Sequence, residues 1–204
     1  MTVNDVTSKV RIILNEAGEE ESLHLLSEDT LKLAQYIESV IPDAINHVIS
    51  VSPIQHINTT RGNNITTANG EGYSILVLPS DFLRIAAIKF SNWKRAVSVV
   101  MPFNSEEYKI QHNTITRSGA NKPSCVFAYN SSGSIIECFP TGPLEYFQYV
   151  KSAYSESDKG LGLAKEELLP AICYMCASLV YNIFENPNTA ERMKAVAIEL
   201  IPKE

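Results

Sequence analysis

Acidic residues crowd the two ends of this chain, bases gather in its middle, and the period of the apolar residues changes at the same places. Residues 1–51 carry nine acids and three bases, residues 52–152 six and nine, and residues 153–204 eight and five. The ends repeat apolar residues at helical spacing; the middle alternates them in short runs closed by turn residues. Such an order predicts an α+β fold. Helices from residues 1–54 and 155–204 form one bundle of about four main helices, and residues 55–154 form an inserted antiparallel β lobe.

At the N-terminal end, Val6, Val10, Ile13, Leu14 and Ala17 share one face of a helix that Asn4 or Asp5 can cap and Gly18 ends. Glu19, Glu20 and Glu21 form an acidic link. A second helix begins after Ser27, with Leu33, Ile37, Val40, Ile41, Ala44, Ile45 and Val48 on one stripe. Pro42 falls inside it and predicts a kink, because proline removes a helical hydrogen bond. At the other end Leu169, Ile172, Cys173, Cys176, Val180 and Ile183 predict a helix with one apolar face. Beyond Asn186-Pro187-Asn188, Ala190, Met193, Ala197 and Leu200 predict the last helix.

The middle opens with a polar stretch, residues 55–72, read as a long exposed loop or floppy hairpin. Tyr73–Leu78 reads as a strand. Leu83–Phe90 and Trp93–Val100 read as a hairpin turning at Ser91-Asn92, which sets Ile88 opposite Arg95 and Lys89 opposite Lys94. A short helix follows Ser105. A second hairpin joins Ser124–Asn130 to Gly133–Phe139 and places Cys125 opposite Cys138. The last strand, Leu144–Tyr154, puts Tyr146 and Gln148 on one face and Phe147 and Tyr149 on the other.

Residues that could carry chemistry do not fall into a catalytic pattern. Cys173 and Cys176 form one Cys-x-x-Cys, but they sit inside an apolar helical stripe. A thioredoxin-type site needs the first thiol exposed at a helix start. Cys125 and Cys138 could form a cross-strand disulfide, although a cytoplasmic origin favours free thiols. The histidines His24, His47, His56 and His112 show no metal-ligand spacing. Gly160-Leu161-Gly162 lacks the third glycine of a phosphate cradle. No cofactor or metal is therefore expected. The start lacks the basic and apolar regions of a signal peptide, and apolar runs are far short of the ~20 residues that span a bilayer. The expectation is a soluble protein made in a cytoplasm, with no membrane partner.

The middle segment carries Arg84, Lys89, Lys94, Arg95, Lys109, Arg117 and Lys122, with Trp93 and several tyrosines interleaved. That set could serve as a stacking platform for single-stranded nucleic acid. Against it, the count of bases is modest and the overall pI is near 5.3. The candidate contacts to a subunit or partner are Arg61, Arg84, Lys89, Trp93, Lys94 and Arg95.

Several short motifs also occur in a familiar series. They are Ala34–Pro53, then Leu78-Pro79-Ser80-Asp81-Phe82-Leu83-Arg84 with Trp93-Lys94-Arg95, then Tyr108 through Thr116 and Lys122-Pro123. The Glu137-Cys138-Phe139-Pro140 strand end follows, then Glu167-Leu168-Leu169-Pro170 and the helix pair around Asn186. In this order the chain resembles the head-to-tail connector (adaptor) proteins of short-tailed bacteriophages, the family that includes tail tubular protein A. Within it, the chain is most similar to the first neck ring protein of crAss-like phages. The resemblance spans nearly the whole chain, and its force lies in the serial order. It implies a structural virion protein with no enzymatic activity. The protein would form a homo-oligomeric, twelvefold ring in the neck, bound to the portal protein and to other neck or tail proteins. Double-stranded DNA would pass through the lumen without sequence-specific binding. Two departures stand out: the polar stretch 55–72 is long, and the chain ends soon after its last helix, without the long C-terminal arm of some adaptors. The alternatives are a head-completion or tail-attachment factor that is not a ring, a single-stranded nucleic-acid-binding module, and a thiol oxidoreductase centred on Cys173 and Cys176.

Overall fold

The computed structural model describes residues 1–17, 27–62, 66–68, 72–131 and 133–203. The fold is α+β, and the chain divides into two compact units, residues 1–58 with 151–204 and residues 59–150. The acidic link Glu19–Glu21 and His24 lie outside the described residues.

The first unit is helical. Its helices are α1 (Val3–Ala17), α2 (Ser27–Val51), α4 (Leu169–Ile183) and α5 (Pro187–Glu199). The start of α1 is closed by Thr2 rather than by Asn4 or Asp5 alone. Thr2 N donates to Asp5 Oδ2 at 2.9 Å, and Asp5 N donates to Thr2 Oγ1 at 3.2 Å. This reciprocal pair satisfies backbone donors that the first turn leaves open. Along α1, Val6, Val10 and Leu14 are buried as their spacing predicts, while Ile13 is half-buried. The whole predicted stripe of α2 is buried, from Leu33 to Val48, and the helix runs on through Pro42.

Helix α4 departs from the sequence reading. It is buried on nearly every side, including Ala171, Met175, Ala177, Ser178 and Tyr181, which lie off the predicted stripe. No Asp, Glu, Lys or Arg occurs between Glu167 and Glu185. A helix apolar all round belongs at the centre of a bundle. Helices α1, α2 and α5 all pack on it. Two polar atoms tie it to its neighbours: Ser178 Oγ donates to Ala190 O at 2.7 Å, and Tyr181 Oη donates to Leu14 O at 3.2 Å. Ile183 and Leu200, predicted inward, are 44% and 40% exposed. At the end of α5 the chain turns after Leu200 and buries Ile201 instead.

The second unit holds two sheets and one short helix. Strands β1 (Thr60–Arg61), β7 (Leu144–Lys151) and β4 (Phe82–Phe90) form one sheet in that order. Strands β2 (Thr66–Ala68), β3 (Ser74–Val77), β6 (Gly133–Phe139) and β5 (Ser124–Asn130) form the other. Between them lies a core to which both sheets contribute: Leu76, Ile88, Phe90, Cys125, Ile136, Cys138, Phe147 and Tyr149. On the opposite face of the four-stranded sheet, Tyr73, Val126 and Phe139 pack under Met101 and Tyr108; Tyr108 lies on α3 (Glu106–Gln111). Ser105 caps α3 by accepting from Tyr108 N at 3.1 Å.

The β5–β6 hairpin has the predicted register, with Cys125 opposite Cys138 and Asn130 opposite Gly133. The first predicted hairpin is overturned. After β4 only one bridge forms, between Ile88 and Val97, with both amides bonded at 2.8 Å. Ile88 therefore faces Val97 instead of Arg95, and Lys89 does not oppose Lys94. The reason is local. Trp93 N donates to Phe90 O at 2.9 Å and closes a turn, and Lys94 N donates to Ala120 O at 2.9 Å. Those groups are thereby lost to a ladder. Residues 55–72, read as a long exposed loop or a floppy hairpin, are not simply a loop where they are described. A 3-10 turn spans Ile54–His56, β1 pairs with β7, and β2 pairs with β3. These polar strands exist because partners are presented to them, and no alternation in the sequence announces them.

Replacing Ile41→Ala should destabilise the protein by about 2–5 kcal/mol, since this side chain is fully buried and its loss leaves a cavity. Urea unfolding followed by circular dichroism measures it; a loss under ~1 kcal/mol would contradict the packing described for α2.

Candidate functional site

The basic middle of the chain resolves into two kinds of position. Lys94 and Arg95 are exposed on the loop of residues 91–96, with Ser91, Asn92 and Ala96 beside them. That loop is tied down at many points. Ser91 N donates to Pro143 O at 3.0 Å, and Asn92 Nδ2 donates to Thr141 O at 2.9 Å. Lys94 N bonds to Ala120 O as above. Gly142 permits the approach of Asn92: a Cβ there would lie 2.2 Å from Asn92 Oδ1.

Trp93 is the pin of this loop and not part of its surface. It is 3% exposed, its ring centroid lies 4.6 Å from that of Phe90, and Nε1 donates to Pro140 O at 2.9 Å. The expectation that Trp93 is a partner contact is therefore corrected: its indole offers no free face for a base or a partner. Residues 91–96 form a turn rather than a strand, so facing is set by the turn and not by alternation. Trp93 turns inward to fill the core, and Lys94 and Arg95 are left facing water.

The other candidates behave differently. Lys89 is held within its own unit, Nζ lying 2.9 Å from Glu145 Oε2, and that bond raises its pKa above the ordinary lysine range. Arg61 on β1 is exposed, and its Nη2 donates to Glu145 O at 3.4 Å. Arg61 and Lys89 thus meet at one acidic residue, which the sequence reading did not single out. Arg84 on β4 is half-buried, and desolvation lowers its pKa. Lys94 and Arg95 are exposed on a turn, whereas Arg61, also exposed, lies in a paired strand.

Among the described residues, His56 and His112 pair with carboxylates and the four thiols are buried. His112 Nε2 lies 3.5 Å from the buried Glu137 Oε2, with the rings of Tyr73, Tyr108 and Phe139 packed around the imidazole. Tyr108 has its pKa raised by burial first and then by Glu137. His56 Nδ1 pairs with Glu167, and His47 is exposed. Burial pushes the Cys173 thiol up to about 11 and Cys176 further still, so neither is poised as a nucleophile at neutral pH. The amides of Gly160 and Gly162 are taken by the Asp158 carboxylate at 3.0 and 2.8 Å. The position a phosphate would need is filled by the protein's own anion. Among the described residues, no group of three or more His, Cys, Asp or Glu side chains could hold a metal ion, and no helix is long and apolar enough to cross a membrane.

A scan against known protein families finds no match for this chain, and no curated protein matches it in sequence.

Two outcomes follow from these positions. Cys173 and Cys176 should resist alkylation by iodoacetamide in the native protein at pH 8 and react fully once it is unfolded; rapid native labelling, read by mass spectrometry, would contradict their burial. The raised Cys173 pKa also has a sign: the folded state holds its proton longer than the unfolded one. Its contribution is complete below about pH 9 and lost as pH rises to about 11. Stability in urea should decline across that window, and less so in Cys173→Ala.

Proposed function

We propose that this chain is a structural virion protein that forms a ring in the neck of a short-tailed phage, joining the portal to the tail and continuing the channel for DNA. The observation that carries the reading is the opposite charge of the two compact units. Residues 1–58 with 151–204 hold 17 acids and 9 bases, a net −8, and residues 59–150 hold 6 acids and 8 bases, a net +2. A cyclic ring of identical subunits needs two different and complementary patches on each copy. An acidic helical unit and a basic β unit supply such a pair. Lys94 and Arg95, displayed on a pinned loop, are the basic contacts, and the helical unit of the next subunit is their target. Complementary charge of this kind sets orientation and speeds encounter. The serial order of motifs from Ala34 to Asn186 supports the placement in the neck. The ring is twelvefold in this reading, assembled in the host bacterial cytoplasm and docked on the portal protein. Acidic residues facing its lumen would repel DNA phosphates and let the genome slide.

The decisive measurement is the copy number of this chain per portal subunit in purified particles, by quantitative mass spectrometry. A ratio near one is expected. A ratio far below one would favour a head-completion or tail-attachment factor that is not a ring, and absence from particles would end both readings. In parallel, Lys94→Glu with Arg95→Glu should weaken assembly about 10-fold or more at physiological salt without lowering the Tm of the monomer. Lys89 is left unchanged in that variant, because Glu145 already engages it. Unimpaired assembly would remove charge docking from the proposal.

A further inference from the structure

We propose that Cys125 and Cys138 are a latent disulfide, a modification site that a small peroxide closes across the β5–β6 hairpin in the folded protein. The two residues are directly opposed in the register, both are fully buried, and their sulfurs lie 3.8 Å apart as free thiols.

The ladder identifies which kind of pair they are. Met101 N donates to Cys125 O at 2.8 Å, and Phe127 N donates to Met101 O at 3.0 Å. The peptide groups of Cys125 therefore point outward to Met101 and away from β6. Cys125 and Cys138 are then a non-hydrogen-bonded pair, the closer of the two antiparallel spacings, with Cα atoms about 4.5 Å apart. That value falls at the near edge of the range disulfides accept, about 4.4–6.8 Å. Both side chains face the same core, beside Leu76, Ile136 and Phe147. Closing the bond asks the two sulfurs to swing toward each other, with no strand moved and no register changed.

The chemistry balances with one peroxide. One cysteine, as thiolate, attacks hydrogen peroxide; the O–O bond breaks, leaving a sulfenic acid and hydroxide, which takes up the proton that the thiol released. The second sulfur attacks the sulfenic sulfur, the S–S bond forms, the S–O bond breaks, and water departs with the second thiol's proton. Two thiols and one peroxide become one disulfide and two waters, and two electrons pass from sulfur to oxygen. Burial raises the pKa of Cys138 and keeps bulky disulfides away, so the partner reagent is small and uncharged and the reaction is slow. In a reducing cytoplasm the pair stays open; outside one it closes. Nothing in this geometry depends on where the protein works. A bond closing a loop of this length shifts the folding equilibrium about 100-fold toward the native state.

The test uses the full chain. Native protein is treated with hydrogen peroxide, quenched, unfolded in guanidinium with N-ethylmaleimide, and digested with trypsin. Because Lys122 precedes Pro123, both cysteines fall in the peptide 118–151. That peptide should lose two hydrogens and take no maleimide, then take two after dithiothreitol. The native protein's Tm should rise by more than about 5 °C on oxidation and return on reduction. Cys125→Ala with Cys138→Ala should abolish the oxidation-dependent rise. If that variant does not fold, the peptide masses decide. A peptide 118–151 that still takes two maleimides would overturn the proposal. So would a bond formed only between chains, only in denaturant, or only at Cys173 and Cys176.

Discussion

The burial of α4 is the constraint on which the helical unit depends. A helix with no charge along its length gains little by facing water, so most of its surface is enclosed. The elements that enclose it come from both ends of the chain: α1 and α2 before the β unit, α5 after α4 itself. Each fully buried aliphatic side chain in that centre contributes about 1.5–3 kcal/mol relative to exposure. Ala171, Cys173, Cys176, Ala177 and Ser178 are small, which lets neighbouring helices come close and makes even modest enlargement there costly. The chain consequently leaves the helical unit near residue 58 and must return to it at 151, whatever the intervening residues do.

Within the β unit, the same logic acts through parity. The core between the sheets takes Cys125, Ile136, Cys138 and Phe147, and the outer face of the four-stranded sheet takes Val126 and Phe139 under α3. A slip of one residue between β5 and β6 would exchange those sets and turn the buried Glu137 toward the apolar core, so the register is held by packing on both faces. The thiol pair inherits its closeness from this register.

How much of this was legible from residues alone depends on how local the signal is. The stripe of α2, the buried Val6, Val10 and Leu14, and the β5–β6 register all rest on short-range spacing, and the structure agrees with them. The Trp93–Val100 strand failed because the amides of Trp93 and Lys94 bond to Phe90 O and Ala120 O, a choice that no periodicity records. The candidate contacts fared unevenly for a related reason. Residue type marks Lys89 and Lys94 as equals, yet Glu145, far along the chain, engages only Lys89. Trp93 resembled a stacking surface in sequence and proved to be core. The chargeless run of α4 was the one readable signal passed over; it announces burial on every side.

The sequence by itself determined the order of helical, strand and helical periods, the apolar stripe of α2, and the facing of Cys125 with Cys138, because these follow from the periods of 3.6 and 2. It also determined the charge difference between the chain's ends and its middle. Only the tertiary structure decided which cations stay free, which aromatic fills the core, and whether polar segments such as Thr60–Arg61 become strands. Those outcomes depend on partners distant in sequence, and a residue's own neighbours carry no record of what the fold brings against it.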